Sequence, residues 1–294
     1  MSMNLHHLAI FHSIATTGSI SASAQRLHIS QPALSHELKN LESRLGVVLF
    51  DRLPRGMRLT QAGSILHSYS SRLFHISETA ESAMRQIADA QQGHLTLGAS
   101  NTIGTYMLPQ LLSTFRQANP GIQISLFIGN TEQVAQGVAD LRFAIGFIEG
   151  PLHIDGLIAR QFRYDELLPV ISAKHSLSKQ KFLSAQDIAG LPLLIREVGS
   201  GTRELIMNTL SLNNIEPSNV MEFSNTEAIR QAVLHEGGIA WLPQISITQD
   251  LENKDLIVLP IKELIIHRPL NIIHRSKSYI IPATEMLLEL LSAS

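Results

Sequence analysis

Apolar residues recur three and four positions apart through residues 5–90, then give way to short alternating and continuous runs, so the chain changes architecture near residue 93. Leu5, Leu8, Phe11 and Ala15 line one face of an opening helix that Gly18 and Ser19 interrupt. Ser19 suits the N-cap of a short helix over 20–27, where Ala22 and Ala24 permit close helix packing. Ser30 caps a third helix with Pro32 in its first turn, where a missing N–H costs little. Leu34, Leu38, Leu41 and Leu45 form one stripe on it, and Gly46 suits a left-handed stop.

The solvent face of the third helix presents Gln31, Ser35, His36 and Lys39. Two short helices, a tight turn and a polar first turn on the second describe a helix-turn-helix, whose recognition helix offers hydrogen-bonding side chains to base edges. The helix pattern alone also describes an amphipathic helix in any small bundle. The next run, V-V-L-F-D-R-L-P-R-G-M-R-L-T, favours DNA, because it reads as strand, turn, strand: a wing carrying Arg52, Arg55 and Arg58, suited to phosphates or a narrow minor groove. Thr60 is placed to cap a long helix.

Between Gln61 and Gln91, Leu66, Tyr69, Leu73, Ile76, Ala80, Ala83, Ile87 and Ala90 alternate spacings of three and four without a proline. That is a heptad seam, which a partner helix seals better than a globular core does, so it predicts a dimerisation helix.

After residue 93, strand-like runs (94–99, 122–128, 143–148) alternate with helical spacing (102–118, 131–139), which predicts βαβ units and a mostly parallel sheet. A second series runs from 167 to 242, a strand near 268–273 can return to the first sheet, and 284–291 closes as an amphipathic helix. Two such lobes place a ligand in the cleft between them.

Composition sharpens this division. The 294 residues carry a net charge of −2, yet residues 1–60 hold six basic residues (Arg26, Lys39, Arg44, Arg52, Arg55, Arg58) against three acids, while residues 93–294 hold fifteen against nineteen. A basic head on an acidic body fits a nucleic-acid module joined to a separate domain. With no cysteine, disulfides, thiolate metal sites and cysteine nucleophiles are excluded. The N-terminal M-S-M-N-L-H-H-L is no signal peptide and no run is long enough to span a bilayer, so a cytoplasmic protein with no membrane partner is expected. Thirteen histidines include no H-E-x-x-H, and there is no G-x-S-x-G elbow. No enzyme, catalytic residue, metal site or cofactor is expected. A stand-alone transport binding protein would account for the body but has no use for a winged head.

Helix N-termini with hydroxyl caps attract anions. Three starts stand out: Ser100–Asn101–Thr102; Arg196 to Arg203, where Ser200, Gly201 and Thr202 open a helix beside two arginines; and Thr226. Glu149 closes a buried strand nearby in this scheme. These residues are the candidate effector contacts.

The run S-Q-P-A-L-S-H-E-L-K-N-L-E-S-R-L-G-V-V-L-F-D-R, Ser30 to Arg52, followed by L-T-Q-A-G at Leu59–Gly63, resembles the signature of the LysR-type transcriptional regulators. The strings G-A-S-N-T-I-G-T-Y-M-L-P, I-G-F-I-E-G-P and R-E-V-G-S-G-T-R-E are similar to the branch containing Calvin-cycle and sulfur-metabolism regulators. The resemblance implies an N-terminal winged helix-turn-helix (1–60), a linker helix (61–92) and a two-lobed α/β effector domain like periplasmic binding proteins (93–294). Lobe I would comprise 93–162 and 268–294, and lobe II 163–267. By it Gln31, Pro32, Ser35 and His36 match recognition-helix positions and Arg52 and Arg55 wing or backbone contacts; with Ser30, Lys39 and Arg58 from the residue pattern, these are the candidate contacts to double-stranded DNA. A small anionic effector would sit between the lobes, at Ser100, Thr102, Ser200, Thr202 and Thr226. A homodimer through the linker helix, a homotetramer, and RNA polymerase as a further partner complete the expectation.

Overall fold

A computed structural model describes residues 4–53, 56–88, 93–180, 182–276 and 281–293, and the chain divides into two compact units, Met1–Glu81 and Ser82–Ser294. The first contains α1 (Leu5–Thr17), α2 (Ile20–Leu27), α3 (Gln31–Leu45), β1 (Phe50–Leu53) and β2 (Gly56–Leu59), followed by the start of α4 (Gln61–Ala88). Asn4, Ser19, Ser30 and Thr60 each accept a backbone N–H of the helix they precede, satisfying donors that the first turn leaves open. Gly18 and Gly46 end α1 and α3 at φ +65° and +69°, a conformation that side chains with a Cβ rarely adopt. Leu8, Phe11, Ile14, Leu34, Leu38, Leu41, Leu49 and Phe50 form the core, with Leu66 and Phe74 of α4 packed against it.

The second unit runs β3 (Gly93–Ser100), α5 (Leu108–Ala118), β4 (Ile122–Gly129), α6 (Thr131–Ala139), β5 (Ile145–Glu149), β6 (Leu157–Ser172), β7 (Leu193–Arg196), α7 (Gly201–Leu212), β8 (Val220–Phe223), α8 (Thr226–Leu234), β9 (Ala240–Pro243), α9 (Gln244–Asn253), β10 (Leu256–Val258), β11 (Ile266–Arg275) and α10 (Pro282–Ala293). The large sheet is ordered β10-β6-β11-β5-β3-β4, with β9 also on β6, while β7 and β8 pair separately.

The expectation of a mostly parallel sheet is corrected. Strand β3 pairs β4 and β5 in parallel, as β7 does β8, but all four pairings made by β6 and β11 are antiparallel. The reason lies in the two long strands, which pass from one lobe to the other. Phe162 packs into the lobe I core of Leu95, Leu97, Phe115, Phe147 and Leu287. Five residues further along β6, Leu167 belongs to the lobe II core with Ile195, Ile206, Trp241 and Leu264. On β11 the return is made between Ile266 and Leu270. The helix expected from residue 102 begins instead as a π-helical turn, Ile103–Met107. The alternation did not reveal the first half of β6, nor α9 and β10.

Candidate functional site

In the first unit, Leu34, Leu38 and Leu41 bury one side of α3, which leaves Gln31, Pro32, His36 and Lys39 exposed and Ser35 half-buried on the other, with Ser30 exposed at its cap. Glu37, half-buried on the same helix, is held by His7, 2.8 Å away. On the wing Arg52 is exposed, while Arg58 faces Asp51 across the ladder at 3.2 Å. Arg55 lies outside the described residues.

Helix α4 divides its apolar residues between two tasks. Leu66 and Phe74 turn inward to the core, whereas Ile65, Tyr69, Leu73, Ile76 and Met84 are exposed. The free stripe therefore starts at Ile65 rather than Leu66, because the head itself occupies the Leu66 edge. The side chains of Ala83 and Ile87, and Ala90 altogether, lie outside the described residues. His67 on the same helix stacks on His12 of α1, ring centroids 5.4 Å apart, and His12 also meets Ser70 at 3.3 Å. Burial pushes both imidazoles below their usual range, with the neighbouring His67 adding repulsion at His12.

The second unit gathers its candidate residues at the junction of its lobes. Ser100 ends β3 and is 1% exposed, and its hydroxyl has no hydrogen-bond partner. Asn101 Oδ1 accepts the backbone N–H of Thr226 from lobe II at 3.3 Å. Glu149, 2% exposed, accepts the Ile103 N–H through Oε1 at 3.1 Å. Thr131 donates to the Glu149 carbonyl and accepts the Gly201 N–H from lobe II. Gly201 must be glycine here, since a Cβ would lie 2.1 Å from the Glu149 carbonyl oxygen. Ser200 caps α7 by accepting the Arg203 N–H.

The flanking arginines are engaged within lobe II. Arg196 forms two hydrogen bonds to Glu197, at 2.8 and 2.9 Å, and donates to Thr226. Burial pushes the Glu197 carboxyl up, but the Arg196 guanidinium outweighs it and holds the group below the usual carboxylate range. Arg203 reaches the Arg196 carbonyl and Glu222.

At the centre is a residue that sequence reasoning placed only as a strand start. Arg268 on β11 is fully buried: its Nε donates to Asp165 Oδ2 at 2.9 Å, Nη1 to the Thr202 hydroxyl at 2.7 Å and Nη2 to the Thr102 hydroxyl at 3.2 Å. Glu149 lies 3.9 Å from Nη1. A signal existed, because strict alternation along I-H-R-P-L-N-I puts Arg268 on the same inward face as Ile266, Leu270 and Ile272. A further bridge joins the lobes where Tyr106, on the π-helical turn, donates to Glu227 of α8 at 3.0 Å. Burial and that bond push its phenol up to about 12.

Residues 5–64 match the family model of the bacterial regulatory helix-turn-helix protein, lysR family, and residues 88–294 that of the LysR substrate binding domain. The chain belongs to the LysR family. It is a DNA-binding transcriptional regulator with an effector-binding domain. A probable RuBisCO transcriptional regulator of Thalassiosira pseudonana is 34% identical over 292 residues, 95% of each chain. Full-length CbnR, solved with its target DNA, superposes with a TM-score of 0.72 at 21% identity, covering 99% of both chains. The CcmR regulatory domain of Synechocystis PCC6803, solved in complex with 2-PG, gives 0.62 at 26% identity over 69% of this LysR-family regulator and 97% of that chain. Among the described residues no group of three His, Asp or Glu could hold a metal ion, and no helix is long and apolar enough to cross a membrane.

Proposed function

We propose that this regulator reads an operator as a homodimer and is switched by a small anion held between the lobes of its body. Residues 1–60 form the DNA-reading head and residues 61–92 the dimer helix. In the remaining 93–294, lobe I is 93–162 with 268–294, and lobe II is 163–267. Gln31, Ser35, His36 and Lys39 face base edges, with Ser30 and Pro32 at the entry of the helix, and Arg52, Arg55 and Arg58 neutralise phosphates. The exposed stripe Ile65, Tyr69, Leu73, Ile76 supports the dimer, since two heads must address two half-sites. The work of the protein is binding rather than turnover, and a tetramer and a contact to RNA polymerase belong to the same reading.

The observation that carries the anion is the junction itself. An unpartnered buried hydroxyl at Ser100 and the N-termini beginning at Thr102 and Ser200 meet around a buried guanidinium. Such donors stabilise negative charge far more in a dry cleft than in water. The 2-PG complex of the CcmR domain supports a compact acid as ligand class. A ligand touching both lobes favours one arrangement of them, and only that difference in affinity can move the heads. Thermal-shift screening of the full chain against anionic and neutral metabolites, including 2-PG, phosphate and sulfate, identifies a binder for calorimetry. Ser100→Ala and Ser200→Ala are each expected to weaken it by ~1–2 kcal/mol. Unchanged affinity in the double variant, or a neutral best binder, refutes the anion at this junction.

A further inference from the structure

We infer that Arg268 is a lobe-coupling residue of this regulator: a single cation shared by Asp165, by Thr102 of lobe I and by Thr202 of lobe II, at which the charge of the effector is read. The second half of this statement rests on the anion proposed for the junction, while the first stands without it.

A fully buried guanidinium is costly to desolvate, and one carboxylate is enough to balance its charge. Asp165 does so, taking Nε and one hydrogen of Nη2 from the adjacent crossover strand, where the register sets Arg268 opposite Asp165. The fork still has hydrogens to place, and they go to two hydroxyls, Thr102 and Thr202, contributed by opposite lobes. Glu149, the other carboxylate facing the group, stays 3.9 Å away and spends Oε1 on the Ile103 N–H. Hydroxyls are the weaker acceptors, so an anion oxygen can replace them with gain, because hydrogen bonds between ionised partners are the stronger ones. Ser100, two residues before Thr102, has a buried hydroxyl with no partner and supplies a further donor on the lobe I side. Lysine cannot substitute, since a point charge lacks the planar fork that serves Asp165 and both threonines in fixed directions. Position on the crossover completes the argument: β11 belongs to both lobes, so a change in the partners of Arg268 is felt by both.

The absence of cysteine allows a clean test on the full chain. Cysteines introduced at the exposed Gln136 of α6 and Asn208 of α7 carry spin labels, one on each lobe. The interlobe distance distribution is then measured in the parent and in Thr102→Val/Thr202→Val, which leaves the Arg268–Asp165 pair intact and therefore foldable. The distribution is expected to broaden and lengthen in the double variant, and an unchanged one overturns the coupling role. In parallel, the parent and Arg268→Lys are titrated with 2-PG, phosphate and sulfate. An oxyanion that binds the parent is expected to bind Arg268→Lys about tenfold more weakly or worse. Equal affinity in a folded Arg268→Lys protein overturns recognition of the anion by the Arg268 fork. If none of the three binds the parent, the anion reading fails, and the distance measurement still decides the coupling.

Discussion

The head and the body of this regulator hold their polar chemistry in opposite ways. On α3 the candidate DNA contacts stand exposed, Ser35 half-buried, on one side of a single helix, within nine residues of one another, and the core residues Leu34, Leu38 and Leu41 fix that side outward. At the lobe junction the polar groups are buried, and central ones are completed from far along the chain: Thr102 meets Arg268 from 166 positions away, and Asn101 meets Thr226 from 125. Surface groups on one helix act additively, because water satisfies whatever a mutation leaves unpaired. Buried groups that share one cation act as a unit, because a lost partner leaves a desolvated charge. Damage to the head should therefore be graded, and damage to the junction collective.

The largest effect is expected where neither description applies. Leu73, at the middle of the exposed α4 stripe, lies in the contact proposed for a second chain, so Leu73→Asp places a charge in that contact. Sedimentation should show monomers, and loss of the second half-site should cost about a hundredfold or more in operator affinity. Anion binding by the body should survive. A Leu73→Asp protein that sediments as the parent oligomer would remove α4 from the interface.

Smaller and graded effects belong to the head. Gln31→Ala should weaken operator binding by ~1–3 kcal/mol while leaving random DNA nearly unaffected, as expected for a base-reading side chain. Arg52→Ala should weaken both alike and flatten the dependence on salt. Measured together, the two losses should add, unlike those of the Thr102 and Thr202 pair. Equal loss of specific and random binding in Gln31→Ala would place that residue on phosphate instead.

The same contrast explains what could be read from the sequence. Caps at Ser19, Ser30 and Thr60, the stop at Gly46 and the two wing strands are short-range events, set by residues within a turn of one another, and the structure has them where pattern put them. Helix 131–139 and strand 122–128 were equally plain. Strand β6 was half hidden, because its first ten residues, L-I-A-R-Q-F-R-Y-D-E, are mostly exposed or half-buried and too polar to announce a strand. Arg268 and Asp165 escaped for a related reason. Each is an ordinary charged residue in its own segment, and only the antiparallel pairing of two crossover strands makes them a pair. Arg196 and Arg203 were visible as charges near a helix start, but not their satisfaction by Glu197 and Glu222.

The smallest expected effect comes from acid and separates the two units once more. In the folded head, burial holds the His12 and His67 imidazoles below the ordinary histidine value of 6.5, and at His12 the facing His67, His75 and Arg26 add repulsion that Glu78 only partly offsets. In the unfolded chain both take up protons near that ordinary value. Below it the unfolded state therefore binds more protons than the folded one, so stability rises with pH there. The head should keep its full stability above pH 6.5 and lose part of it as the pH falls beneath. His67 sharpens this, because its buried Nε2 has no partner to receive a new proton's hydrogen bond. The body provides the control, since Trp241, the one tryptophan of the chain, is buried in lobe II and donates to the Leu264 carbonyl. Its fluorescence tracks unfolding of the body alone, while hydrogen exchange across α1 and α4 tracks the head. From about pH 7.5 down to about pH 5.5, a window that brackets the ordinary histidine value, exchange in α1 and α4 should gain in relative rate after correction for intrinsic chemistry. His12→Gln/His67→Gln should flatten that gain. An equal acid response in the double variant would trace the effect to other groups and leave the stacked pair a matter of packing only.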